Sequence, residues 1–225
     1  MAFVPSLLID PNDPKVLYSS VEGVDFCFSS SRLLRKSTDG GATWSDLPGS
    51  TYCAFGGISL AMDPSDSNTL YAAPQDPIYF GTTTLYKTSD GGASWNQTHI
   101  NGFVLALAID PANPARLYGG RGRSGGVIKS TDGGKSWVGT ALKDVDVSAL
   151  VLDPTNSNVL YAGTSVPQPD GTPGMFKSTD GGATWSAFND GLRSLDIRAL
   201  AVSSDGSGTV YVGTPGGVFR AVGTP

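Results

Sequence analysis

A chain of 225 residues with 30 Gly, 15 Pro and 16% charged residues is long enough for one sizeable core. It holds neither an apolar run that could cross a bilayer nor the three-residue glycine period of a collagen. Lys+Arg total 15 against 20 Asp+Glu, a net charge of −5, and no basic stripe stands ready to neutralise a phosphate backbone, so nucleic acid and membrane insertion are set aside as partners.

Only Glu22 among the 20 acidic residues is a glutamate. Aspartate favours turns and caps over helix faces, which argues against long helices. Residues 1–11 lack the charged and apolar regions of a signal peptide. From Ile9 onward two strings alternate. The first, IDPNDPKVLY (Ile9 to Tyr18), returns as MDPSDSNTLY (Met62 to Tyr71), IDPANPARLY (Ile109 to Tyr118) and LDPTNSNVLY (Leu152 to Tyr161), with a weaker copy, VSSDGSGTVY, from Val202 to Tyr211. The second, KSTDGGATW (Lys36 to Trp44), returns as KTSDGGASW (Lys87 to Trp95), KSTDGGKSW (Lys129 to Trp137) and KSTDGGATW (Lys177 to Trp185), and it takes up all 4 tryptophans.

The tyrosines that end the first string lie 53, 47, 43 and 50 residues apart, the period of four-stranded propeller blades. Each unit predicts four short strands. Strand A is apolar with small residues interleaved, as in Leu105 to Ile109, and the Asp-Pro after it stops the ladder because proline donates no hydrogen bond. Strand B is the Leu-Tyr segment. Strand C ends in Lys-Ser-Thr, and Asp-Gly-Gly turns the chain into strand D at the tryptophan. The expected fold is all-β: a single β-propeller domain over 1–225, with about five blades of four-stranded antiparallel meanders in units 1–49, 50–101, 102–144, 145–192 and 193–225. The fifth unit has strands A to C and no Asp-Gly-Gly turn, so the last blade is incomplete. That edge leaves three outcomes: a closed ring with a thin blade, which is favoured, an arc in a larger assembly, or completion by a neighbouring chain.

The pattern Ser/Thr-x-Asp-x-Gly-x-Thr/Ser-Trp resembles the Asp-box, or bacterial neuraminidase repeat, of sialidases, some secreted glucanases, sortilin-type receptors and photosystem assembly factors. The resemblance implies a propeller in which the box is a structural hairpin at the blade periphery. Asp39, Asp90, Asp132 and Asp180 are then turn formers, and Trp44, Trp95, Trp137 and Trp185 wedge between blades. Asp10, Asp63, Asp110 and Asp153 are read as turn residues too, since a residue needed once per blade is explained by the blade.

In a meander the A–B and C–D turns share one face, and the B–C loops and D-to-A crossings share the other. The unrepeated residues fall on the second face, where binding residues concentrate. Candidate ligand contacts on that rim are Arg32, Tyr52, Asp76, Tyr79, Arg121, Arg123, Asp146, Asp170, Arg193 and Arg198, beside Glu22, Asp25, His99, Asp144 and Asp196. Aromatic platforms, carboxylates and guanidinium groups suit stacking on sugars and bidentate recognition of acids.

A sialidase, by resemblance, would add a tyrosine nucleophile activated by glutamate and an arginine set with an N-terminal Arg-Ile-Pro-like segment. Here Glu22 stands alone and that segment is absent. A pair of aspartates, as in the Asp-box glucanases, is available from Asp25, Asp76, Asp144, Asp146, Asp170 or Asp196. The leading expectation is a non-catalytic recognition or scaffold propeller that binds a glycan or protein partner through the loop rim. Self-association or a larger assembly through the fifth blade stands beside it. The alternative is a glycoside hydrolase of the Asp-box sialidase or glucanase type. No cofactor and no metal is expected, because His99 is the only histidine and Asp144-Val145-Asp146 lacks the glycine and glutamate of a calcium loop. Cys27 and Cys53 fall on the same rim at adjacent blades and either pair as a disulfide or stay as thiols. By resemblance to exported Asp-box proteins, the expected location is secreted or periplasmic.

Overall fold

The computed structural model describes residues 6–20, 34–48, 58–74, 82–164 and 174–222. Among these residues there is no helix, and five antiparallel sheets run as meanders in chain order. The first sheet holds β1 (Ser6–Ile9), β2 (Leu17–Ser20), β3 (Leu34–Ser37) and β4 (Ser45–Asp46). The second holds β5 (Ile58–Asp63), β6 (Asp66–Pro74), β7 (Thr82–Thr88) and β8 (Asn96–Asn101). The third holds β9 (Val104–Ile109), β10 (Leu117–Arg121), β11 (Gly126–Ser130) and β12 (Val138–Gly139). The fourth holds β13 (Val147–Asp153), β14 (Asn156–Thr164), β15 (Met175–Ser178) and β16 (Ser186–Ala187). The fifth has three strands, β17 (Ala199–Val202), β18 (Thr209–Thr214) and β19 (Gly217–Val222). The fold is the all-β, five-bladed propeller class that the repeats predict, with the last blade one strand short. Its contacts gather into two compact units, Met1–Val104 with blades 1 and 2, and Leu105–Pro225 with blades 3 to 5.

Why the strings repeat is visible in the register. Tyr18 lies opposite Lys36, Tyr71 opposite Lys87, Tyr118 opposite Lys129 and Tyr161 opposite Lys177. Each ammonium stands over the paired ring, at 5.0, 5.1, 5.4 and 5.7 Å from its centroid, a cation–π contact that strengthens as the pair is desolvated. Among the described residues, these four tyrosines are the large buried rings. The tryptophans are half-buried or exposed, with Trp95 and Trp185 packed against the cores that join blade 1 to 2 and blade 3 to 4. Among the described residues it is these tyrosines, not the tryptophans, that are fully enclosed.

Small residues on the B strands let neighbouring blades approach. A Cβ on Gly120 would meet Val147 Cγ1 of the next blade at 2.7 Å, so this strand has room for glycine alone. One sequence expectation needs correcting. Residues 96–103 read as a D-to-A crossing, but Asn96–Asn101 is a full strand, β8, paired along its length with β7. Strand C, Thr82–Thr88, is long enough to give strand D a partner at every position. His99 therefore sits opposite Thr84 in a ladder rather than in a loop. The other described D strands, β4, β12 and β16, have 2 residues each.

Candidate functional site

The Asp-box face is a scaffold whose geometry repeats four times. The hydroxyls of Ser37, Thr88, Ser130 and Ser178 donate to Oδ1 of Asp39, Asp90, Asp132 and Asp180 at 2.6 to 2.8 Å. The hydroxyls of Thr43, Ser94, Ser136 and Thr184 donate to Oδ2 at 2.5 Å, and the amides of the same four residues donate to Oδ1. These donors, the second-side hydroxyl foremost, hold all four carboxyls down at about 2. Carboxylates so fixed as anions have no proton to give, so their role is to hold the turn.

The box is tied to the A–B turn of its own blade, because Gly40, Gly91, Gly133 and Gly181 donate backbone N–H bonds to Lys15, Asn68, Ala115 and Asn158. It is also tied to the preceding blade. Tyr18 Oη donates to the Gly91 carbonyl at 3.4 Å, and Tyr118 Oη to the Gly181 carbonyl at 3.1 Å. A second latch joins the A–B turns, where Ser67 donates to Asp10 and Ser157 to Asp110. Between blades 4 and 5 the corresponding hydroxyl, Ser207, donates to Thr209 instead. A cavity of about 580 Å³ opens there, lined by Asp153, Asn156, Tyr161, Lys177 and Ser207 among others. No string marks it in the sequence, because it arises where a fifth box would lie.

The opposite rim is best described at blade 3, where the loop from β10 to β11 is short. Its backbone is pinned to the crossing that follows: Val127 N donates to Leu142 O at 3.0 Å and Gly126 N to Val145 O at 2.9 Å. Ser124 N donates to Asp146 Oδ1, and Arg121 Nη2 donates to Gly125 O. Burial pulls the Arg121 guanidinium below its usual range, although the group stays charged. Three non-glycine residues with positive φ fall in this one patch, Arg123 at 56°, Ser124 at 57° and Asp144 at 61°. Each costs on the order of 1 kcal/mol, and such strain gathers where a site needs a fixed backbone. Arg123 and Asp144 are exposed, and Arg121 and Asp146 are half-buried. Of the residues predicted from sequence, the structure thus groups Arg121, Arg123, Asp144 and Asp146.

Other candidates fall elsewhere. Arg198 is committed to Asp196 through two bonds of 2.8 Å, so its fork is already filled. Arg193 is exposed on the crossing from blade 4 to blade 5, behind Asn189, whose side chain accepts from Met175 N at 2.7 Å. Glu22, Asp25, Arg32, Tyr52, Asp76, Tyr79 and Asp170 lie outside the described residues, as do Cys27 and Cys53. Among the described residues, no group of three or more His, Cys, Asp or Glu gathers as metal ligands would.

A family model for the BNR/Asp-box repeat matches residues 176–187. The chain is an Asp-box repeat β-propeller. A xyloglucanase of a Paenibacillus species is 30% identical over 205 residues, which takes in 83% of this chain and 19% of that enzyme. A GH74 enzyme of Niastella koreensis superposes with a TM-score of 0.74 at 23% identity, over 98% of this chain and 36% of that one. YCF48 from Cyanidioschyzon merolae superposes with a TM-score of 0.63 at 13% identity, over 100% of this chain and 68% of that one. At these identities the two structures speak to the fold. The Asp-box propeller spans about a fifth of the length of the curated relatives it matches.

These relatives correct the leading functional expectation, a non-catalytic recognition or scaffold propeller, because the curated proteins that match are named as xyloglucanases. The expectation leaned on the single glutamate and on missing sialidase features. Glycoside hydrolysis needs two carboxylates of either kind, so a single glutamate does not argue against it.

Proposed function

We propose that this Asp-box propeller is a glycoside hydrolase, or the piece of one, that acts on a xyloglucan-type polysaccharide. The observation that supports this reading is the 30% identity to a xyloglucanase over 83% of the chain. The proposed substrate face is the loop rim rather than the box face, whose carboxylates are locked into turns. On that rim Asp144 and Asp146 are the proposed carboxylates, with Arg121 and Arg123 beside them to fix sugar hydroxyls. Arg32, Tyr52, Asp76, Tyr79, Asp170 and Arg193 are the proposed further contacts along the polymer, whereas Arg198 is taken up by Asp196. The chemistry asks one carboxyl to protonate the leaving oxygen and the other, as an anion, to act as nucleophile or to activate water. A polysaccharide does not cross a membrane unaided, so export of the chain belongs to the same proposal.

The test is release of reducing ends from purified xyloglucan by the chain and by its Asp144→Asn and Asp146→Asn variants. Hydrolysis by the parent chain is expected, with at least roughly a hundredfold loss in one or both variants. Circular dichroism should show Asp144→Asn folded like the parent, since its side chain is exposed. A folded parent chain that releases nothing would overturn the reading of an active hydrolase, and full activity in both variants would move the chemistry to other carboxylates.

A further inference from the structure

Two arginines stand on the hairpin between β10 and β11, and the chain treats them differently. Arg123 is exposed. Arg121 is half-buried at the end of β10, opposite Gly126 in the ladder. Its guanidinium turns back over its own loop: Nη2 donates to Gly125 O, and a Cβ built on Gly125 would meet Arg121 Cβ at 2.7 Å and Nε at 3.0 Å. Residues 122–125 therefore wrap this side chain more closely than any residue but glycine at 125 allows.

What the wrap holds lies between the two ends of the loop. Arg123 and Ser124, at φ 56° and 57°, are consecutive non-glycine residues in the left-handed region. An L-residue leaves that region unless its surroundings keep it there. Two clamps do so. Ser124 N donates to Asp146 Oδ1, and Gly125, whose N donates to Gly122 O at 3.2 Å, has its carbonyl held by Arg121. The second clamp uses a charged donor, the stronger kind of hydrogen bond. The first ties the hairpin to the crossing, at a residue only two positions after Asp144. Where Arg123 stands relative to that crossing thus depends on Arg121.

We propose that Arg121 is a positioning residue that keeps the Arg123–Ser124 turn in its left-handed shape, so that Arg123, and not Arg121, meets the polysaccharide beside Asp144. This assignment deepens the reading of the rim as the substrate face and rests on it. Arg123 is then the specificity-determining contact, offering a planar fork of donors to sugar oxygens, and Arg121 acts on the substrate through it alone.

A double-mutant cycle on the hydrolysis of purified xyloglucan tests this with Arg121→Met, Arg123→Met and the double variant, each checked for parent-like circular dichroism. Each single change is expected to raise KM about tenfold with a smaller change in kcat, because it removes a binding contact rather than a reacting group. The double variant is expected to be no worse than Arg123→Met alone, since Arg121 then has nothing left to position. Hydrogen exchange at Ser124 and Gly125 should quicken at least about tenfold in Arg121→Met and stay as in the parent in Arg123→Met. Gly125→Ala, whose Cβ displaces the guanidinium without removing it, should reproduce both changes of Arg121→Met. KM losses that add in the double variant would overturn the proposal by making Arg121 a sugar contact in its own right. Unchanged exchange at Ser124 and Gly125 in Arg121→Met would overturn it by removing the hold. A parent chain that releases nothing sinks the hydrolase reading instead; retardation of the same proteins in a native gel containing xyloglucan then takes the place of KM, and a parent that is not retarded either overturns both.

Discussion

Tyr118 is where two blades are joined by a single side chain. Its ring is fully buried, Lys129 stands above it, and its hydroxyl reaches the Gly181 carbonyl of the next box. Burial raises the phenol's pKa, so the group stays a neutral donor. Tyr118→Phe keeps the ring and leaves the carbonyl to Lys129, and a loss of about 1 kcal/mol is expected. Tyr118→Ala opens a cavity as well, and about 3–5 kcal/mol is expected. Urea unfolding of the three proteins measures both steps, and equal losses in the two variants would show that the hydrogen bond, not the packing of the ring, joins the blades.

The hairpin from β10 to β11 shows how an element places the rim. Gly126 has φ 66°, and a Cβ there would collide with the Leu142 carbonyl to which Val127 is bonded. Gly126→Ala should cost at least about 2 kcal/mol and loosen the crossing from Leu142 to Asp146. Gly139→Ala, with nothing within 4 Å of its Cβ position, should stay within about 0.5 kcal/mol. Thermal melts compare the two, and hydrogen exchange at Gly126 and Val127 should quicken in the first alone. This element also marks what sequence conveys. The Asp-box is legible because its donors and acceptor lie within four residues of one another, as Ser130, Asp132 and Ser136 do. The rim is not, because the bond from Ser124 to Asp146 spans 22 residues and follows from how a crossing returns to its own blade. Residue types on the rim were readable; which of them meet was not. Strand β8 was missed for a related reason: its length is set by a partner strand, not by its own polar sequence.

At the scale of the whole molecule, acidity is stored in turns. Asp39 and Asp90 in the first unit, and Asp132, Asp180 and Asp205 in the second, are each held at about 2. In the unfolded chain these groups return to an ordinary value near 4. Because the folded value is the lower one, the stability they contribute is fully present above about pH 5 and is lost as pH falls towards 2. Near pH 3 the unfolded chain binds up to five more protons than the folded one, and stability should fall steeply there. From pH 5 to 8 these five carboxyls stay ionised in both states, so their contribution to the melting temperature should be flat. Melts from pH 2 to 8 check the curve, and a melting temperature unchanged down to pH 2 would contradict it. With three such turns against two, the second unit should lose protection faster than the first on acidification. Hydrogen exchange read separately over residues 6–104 and 105–222 resolves that difference. Asp132→Asn and Asp180→Asn together should reverse it, because they leave the second unit with Asp205 alone against Asp39 and Asp90 of the first.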